Sequence, residues 1–292
     1  VKFLYRRLKS GWEAHDIGEV TSLFCGLFLV LYGKLRNGTA MRKYRWIAPI
    51  IFGLVLLVLW TFFTSTNVIG EYVLPSPQSI LARLLSGLNE GYLVNSLSQT
   101  LMEAALGCLI AALIGIPLGF AIAHFAVFGA TVEPYLAASQ AIPAVAVAPL
   151  LVSWIGYGSA PIIALCAIMV VFPIIVNTAV GVRSLNQDLI GAARLDGCSG
   201  WNLVLKIELP LAAPSIMAGL RTGFTLAMTG AVVGEMVIGG QRGLGIELVT
   251  AQHLNDTPAM FATIALLSIV AVGLYLTLRA AEIRVVRAVA ER

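Results

Sequence analysis

From Pro134 to Val182 the chain carries no Asp, Glu, Lys, Arg or His. A run of 49 residues lacking all five is hard to place in water, where surface positions need polar groups. Soluble domains carry roughly 25% charged residues; this chain carries 12% and is 59% hydrophobic. A bilayer is the solvent that suits it. In lipid, backbone N–H and C=O groups must pair within the segment, so spans are helices or closed barrels. A helix rising 1.5 Å per residue needs about 20 residues to cross a hydrocarbon core of about 30 Å. The run is therefore too long for one span. Gly156-Tyr157-Gly158-Ser159, followed by Pro161, is the obvious turn. It divides the run into spans over about 134–154 and 160–182.

Four more apolar runs fit the same length rule: residues 46–64, 97–124, 214–238 and 257–278. The expected fold class is an all-α polytopic membrane protein with about six transmembrane helices. Pro117 is a candidate kink in the second span. Ser65 to Asn95 is too polar for the hydrocarbon. Within it, Leu74-Pro75-Ser76-Pro77 reads as a helix start, with Ser76 capping free N–H groups and Pro77 at the first helical position. Ile80, Leu84, Leu85 and Leu88 then predict a short amphipathic helix on the membrane surface. Residues 1–40 are mixed in charge, and their one apolar run, Leu23 to Tyr32, is too short to cross. Met41-Arg42-Lys43-Tyr44-Arg45 reads as the basic start of a membrane protein. The expected organisation is an extension over 1–40 and a membrane domain over 41–292.

Charge sets the orientation. With Met41 in the cytoplasm and six crossings, the inner segments hold Arg42, Lys43, Arg45, Arg183, Arg194, Lys206, Arg221 and the tail arginines Arg279, Arg284, Arg287 and Arg292. The outer loops hold only Arg83 and Arg242. This excess matches the positive-inside rule and puts both ends of 41–292, and the polar stretch 183–213, in the cytoplasm. The net charge of +4 is no nucleic-acid signal, because the basic residues sit at span ends. Cys25, Cys108, Cys166 and Cys198 lack metal or redox spacing and read as small apolar residues. His15, His124 and His253 form no ligand cluster. Neither a metal nor a cofactor is expected.

The stretch 184–210 reads as two short helices. Ser184 to Gln187 has capping-box spacing, and Asp188 suits a helix start. Gly197 suits the left-handed position at a helix end. Ser199 is placed to cap a second helix with Trp201, Leu205 and Leu209 on one side, and Pro210 is expected to end it. Taken as residues alone, this is equally an ordinary amphipathic loop.

The spacing, however, resembles the segment of binding-protein-dependent ABC importer permeases that reads Glu-Ala-Ala, three residues, Gly, nine residues, Ile-x-Leu-Pro. Ala192, Ala193, Gly197, Ile207, Leu209 and Pro210 fall in register. Gly191 stands where the family has Glu, and Asp196 is close but out of register. Leu74 to Pro77, Ala141-Ile142-Pro143 to Ala148-Pro149-Leu150, Trp154-Ile155-Gly156 and Arg242 to Gly245 are similar to the branch that imports nitrate, sulfonates, taurine, riboflavin and pyrimidine precursors of thiamine. The resemblance implies the type I importer permease fold, with a coupling helix between spans four and five. It also implies a homodimer of this chain, an ATP-binding subunit and an extracytoplasmic solute-binding protein, in the inner membrane of a bacterium. The docking surface would comprise Gly191, Ala192, Ala193, Arg194, Asp196, Gly197, Ile207, Leu209 and Pro210.

No G-x-x-x-x-G-K-[ST] loop is present, so the chain is expected to be non-catalytic, with ATP hydrolysed by another subunit. Polar residues within spans are costly and are candidates for a translocation pathway: Glu103, Gln140, Asn177, Thr225, Thr229 and Glu235. For Glu235 a structural role, capping or pairing near the outer end of its span, competes with solute contact. Asn177 and the threonines equally suit helix–helix hydrogen bonds. Pro143, Pro149 and Pro173 are candidate hinges that lipid-buried helices also tolerate. The alternative is an ion-coupled secondary transporter, which calls for repeats and more buried carboxylates. A membrane enzyme calls for paired acids or Ser/His sets that the sequence lacks. Long uncharged spans and few buried basic groups fit an organic solute better than a small inorganic anion such as nitrate.

Overall fold

The computed structural model describes residues 47–66 and 70–290; the expected extension and basic start lie outside the described residues. α1, Ile47–Ser65, belongs to a unit of its own that ends at Thr66. It is apolar throughout, and Thr61 and Thr64 return their hydroxyl protons to carbonyls within the helix. Its described apolar part, Ile51–Ser65, is short for a full crossing.

The second unit is helical throughout its described residues. α2 (Pro77–Asn89) starts where the sequence indicates: Ser76 Oγ accepts the Ser79 N–H, and Pro77 occupies the first turn. Ile80, Leu84 and Leu88 turn inward, whereas Leu85 stays exposed. α3 (Tyr92–His124) runs through Pro117 without a break. It begins five residues earlier than the apolar run suggests, because polar Asn95, Ser96 and Gln99 make a further turn at its start.

The expected span over 134–154 is instead two helices, α4 (Ala126–Ser139) and α5 (Ala144–Ile155), bent by 98° at residues 140–143. Pro143 is the reason: it lacks an N–H and forces Ile142 from helical geometry, so α5 starts afresh after it. α6 (Ser159–Arg183) is straight enough to count as one span. Gly156 and Gly158, at φ of 95° and 116°, make the turn before it. α7 (Gln187–Leu195) and α8 (Gly200–Leu203) form the polar segment. α8 passes through a π-helical turn, Val204–Glu208, into α9 (Leu209–Ile238). α10 (Leu244–His253) and α11 (Thr257–Ala290) complete the chain.

Among the described residues four helices meet the length and hydropathy of a crossing, and the bent pair α4–α5 makes a fifth when counted as one span. The core is the triplet α3, α6 and α9. Where the hydrophobic effect gives no drive between helices, close packing of small residues replaces it. A Cβ at Gly107 would lie 2.4 Å from that of Cys166, and one at Gly119 would lie 2.5 Å from that of Thr178. These pairs advance together, so α3 and α6 run parallel. Gly219 meets Asn177 and Gly234 meets Ile162, so α9 runs antiparallel to both. Parallel α3 and α6 require a return crossing between them, and α4–α5 is that return.

Ion pairs mark both ends of the bundle. At one end Arg83 of α2 pairs with Asp256, and the Thr257 hydroxyl donates to Tyr72 O, tying α2 to the start of α11. At the other, Arg183 binds Glu133 and Ile122 O, and Arg221 lies 3.0 Å from Glu282 and over the Tyr275 ring.

Candidate functional site

The polar segment projects from the Arg183 end of the bundle. α7 is capped by Asn186, whose Oδ1 accepts the Asp188 N–H at 2.8 Å. The expected capping box on Ser184 is not used; Ser184 closes α6 instead, its hydroxyl donating to Gly181 O. At the far end Gly197 adopts φ 87°. Cys198 N–H donates to Ala193 O at 2.9 Å and Gly197 N–H to Arg194 O at 3.1 Å. That crossed pair is the Schellman arrangement, which needs a left-handed residue at this glycine.

Pro210 does not end the second helix. α8, the π turn and α9 form one continuous helix, Gly200–Ile238. A proline inside an α-helix removes one bond and crowds the carbonyl four residues back. The π turn relieves this by widening the coil: Leu209 N–H reaches Val204 O, five residues back. Ser199 stands at the cap position of α8 without a side-chain cap bond.

Ile190, Leu203 and Glu208 hold the segment to the bundle and are buried. The opposite side is apolar and open. Leu195 is 91% exposed and Trp201 79%, with Leu189 and Leu205 more than half exposed. Ala192, Arg194, Asp196 and Gly197 are exposed, and Gly191 and Ala193 half-buried. Ile207, Leu209 and Pro210 are half-buried at the root. Large apolar side chains left open on a polar segment mark an interaction surface. Gly191 has open space where its Cβ would be.

The pathway candidates separate into two groups. Thr225 and Thr229 are exposed on α9 in register with exposed Thr222, one hydroxyl-bearing stripe at helical spacing. Thr222 and Thr225 donate to carbonyls four residues back, leaving lone pairs outward. Gln140 is exposed at the α4–α5 bend. Asn177 donates to Pro173 O at 2.7 Å and packs on Gly219.

Glu103 and Glu235 are the second group, each 1% exposed, inside the other end of the bundle. Glu235 Oε2 accepts Gly245 N–H at 2.6 Å, and its Oε1 accepts the Thr100 hydroxyl at 2.6 Å. Thr100 Oγ1 in turn accepts Leu244 N–H at 3.0 Å. Glu235 and Thr100 therefore cap α10, satisfying N–H groups that a helix start leaves without intrahelical partners and placing a carboxylate at its positive end. The Arg242-Gly243-Leu244-Gly245 stretch follows from this contact. A Cβ at Gly243 would fall 2.3 Å from the Glu235 carboxyl carbon, and one at Gly245 2.4 Å from Val232 O. Glu103 is the acidic neighbour of Glu235. Its Oε1 accepts from Gln99 at 2.7 Å, and Gln99 also reaches Ser159. Glu103 Oε2 is buried without a donor.

The sequence reading missed Gln99, Thr100, Ser159 and α10 itself. Thr100 and Glu103 share a face of α3, which was the available signal. Cys108 and Cys166 are buried in the core and Cys198 is half-buried.

Residues 115–287 match the family described as binding-protein-dependent transport system inner membrane component. The riboflavin transport system permease protein RibX of Chloroflexus aurantiacus is 37% identical over 239 residues, 81% of this chain and 88% of that one. The formylaminopyrimidine transport permease protein ThiX of Halalkalibacterium halodurans is 34% identical, over 79% of this chain and 91% of that one. The taurine transport system permease protein TauC of Escherichia coli is 32% identical, over 79% and 85%. Among solved structures, a chain of the MetNI methionine ABC transporter in an inward-facing conformation shares the fold. Its TM-score is 0.59 at 22% identity, covering 68% of this chain and 96% of that one.

Proposed function

Given that the chain belongs to the family of binding-protein-dependent transport system inner membrane components, the permeases of ABC importers, we propose that residues 187–210 dock its ATPase. The observation that carries this is the exposed apolar side of the segment, above all Leu195 and Trp201, around a rigid Schellman turn. Closure of the ATPase subunits on ATP would move α7 and α8 and so bias the permease between its outward-open and inward-open states. Such a bias requires that the ATPase bind the two states with different affinity. The chain itself then hydrolyses nothing.

The orientation that puts this segment in the cytoplasm also puts Arg183, Arg194, Lys206 and Arg221 there. The Glu235 cap and α10 then face outward, towards a solute-binding protein. In this arrangement two copies of the chain enclose the pathway, and Thr222, Thr225 and Thr229 line it, whereas Glu103 and Glu235 act as structure. The solute is organic. The riboflavin, formylaminopyrimidine and taurine permeases among the relatives support this.

Docking is tested with Ala193→Glu and Leu195→Asp. Both variants should reach the membrane in normal amount and fail to co-purify with the ATPase. Normal assembly and transport in both would reject the docking role. Direct binding of riboflavin, aminopyrimidines and sulfonates to the partner solute-binding protein tests the solute class, and selectivity for nitrate would reject it.

A further inference from the structure

Of the three core helices, two are joined by the chain to the polar segment. α6 leads into it through residues 184–186, and α9 grows out of its π turn. α3 has no such connection, because Phe125 leads from it into α4. Movement of the segment reaches the end of α3 only through side-chain contacts.

Besides the Arg183 bond to Ile122 O at 3.0 Å, one polar contact is placed to do this. Glu208, the last residue of the π turn, is 3% exposed. His124, the last residue of α3, puts Nε2 2.9 Å from Glu208 Oε2. The other ring nitrogen, Nδ1, lies 2.9 Å from Phe120 O, and the ring stacks on Phe120 at 6.2 Å. The imidazole is thus held from its own helix and presented to the carboxylate. The contact falls within ion-pair distance without making a hydrogen bond, and Glu208 Oε2 is buried with no other partner among the described residues. No other basic side chain reaches Glu208 within ion-pair distance among the described residues. Beneath the pair, Phe120 and Ala123 pack with Val182, Ala212 and Ile216.

We propose that His124 is a positioning residue that clamps the π turn to the end of α3, so that displacement of the segment moves α3 with α6 and α9. This rests on the coupling role assigned above to residues 187–210. A π turn is a wide, weakly determined coil that recurs at functional sites. Unclamped, it would take up part of the displacement itself, and the end of α3, with the bent α4–α5 span behind it, would follow only through its packing on α6 and α9.

The test uses the complete transporter, with its ATPase and solute-binding protein, in proteoliposomes, and reads solute moved per ATP hydrolysed. His124→Leu should assemble with the ATPase and hydrolyse ATP, with the ratio lowered at least about fivefold, the low end of allosteric coupling. His124→Lys, which returns a basic group to the end of α3 beside Glu208, should recover most of the wild-type ratio, as a purely steric role would not. Glu208→Gln preserves size and should lower the ratio by itself, and adding His124→Leu to it should lower it no further. An unchanged ratio in His124→Leu, independent losses in the double variant, or loss of ATPase binding in His124→Leu would each overturn the clamp. Should His124→Leu fail to insert, Glu208→Gln decides by the same ratio. If the docking reading itself fails, Ala193→Glu assembles normally whatever the His124 variants do.

Discussion

Replacing Glu235 separates a structural carboxylate from a solute contact. In Glu235→Gln the amide oxygen can still accept Gly245 N–H. The amide nitrogen can donate to Thr100 Oγ1, whose own proton can turn to Ser96 O, already 3.0 Å away. The bond count is kept. Any charge lost at the start of α10 costs at most about 1 kcal/mol. The net change should stay within about 1 kcal/mol. Glu235→Ala behaves differently. It strands Gly245 N–H, a buried donor worth about 1–3 kcal/mol, and leaves a void beside Gly243 and Gly245 that adds to the cost. A loss of about 3 kcal/mol follows, localised at α10. Thermal unfolding in detergent measures the totals, and hydrogen exchange at the Leu244 and Gly245 amides locates them. Exchange there should accelerate in Glu235→Ala and change little in Glu235→Gln. Equal stability in the two variants, or unchanged exchange in Glu235→Ala, would refute the capping role. A raised KM for solute at wild-type stability in Glu235→Gln would instead favour direct contact.

Gly107→Ala and Gly119→Ala place a Cβ 3.0 Å from Ile163 O and 2.9 Å from Ile175 O, backbone that cannot swing aside. Each should cost about 1–3 kcal/mol, read as a lowered unfolding temperature. Arg83→Ala removes an ion pair whose arginine side chain is 52% exposed, and should cost at most about 1 kcal/mol by the same measurement. Gly191→Glu restores the family's acid in open space. It should leave stability within about 0.5 kcal/mol and tighten ATPase co-purification; weaker co-purification would show that the glycine is itself part of the fit.

The features that reading the sequence resolved depend on neighbours in the chain. Ser76 caps α2 because its partner is three residues on, and Gly197 closes α7 because the bonds it permits span three and five. The apolar runs marked α3, α6, α9 and α11 for the same reason. What it did not resolve depends on partners far along the chain or on contrasts that composition lacks. Residues 126–155 are apolar almost throughout, so no change of polarity marks the 98° bend between α4 and α5, and Pro143 looked no different from Pro117, which α3 absorbs. Pro210 looked like a stop, because one residue of π winding has no sequence pattern. For Glu235 the cost of an acid in a span left capping or pairing open beside solute contact, without naming its partners. Thr100 and Gly245 reach Glu235, and Ser159 reaches Gln99, only when four helices pack. His124 and Glu208, separated by α4 to α8, carried no signal at all.

The unbroken helix from Gly200 to Ile238 spans 39 residues, about 58 Å at 1.5 Å per residue. It behaves as a lever arm. Trp201 stands at one tip, and Glu235, the cap of α10, near the other. A tilt of only about 5° about one tip would carry the opposite tip through about 5 Å at this length, roughly the separation of two neighbouring strands of backbone. With the π turn held, the two ends share a single mechanical coordinate: a change in how the bundle holds α10 would alter the angle at which Trp201 is offered.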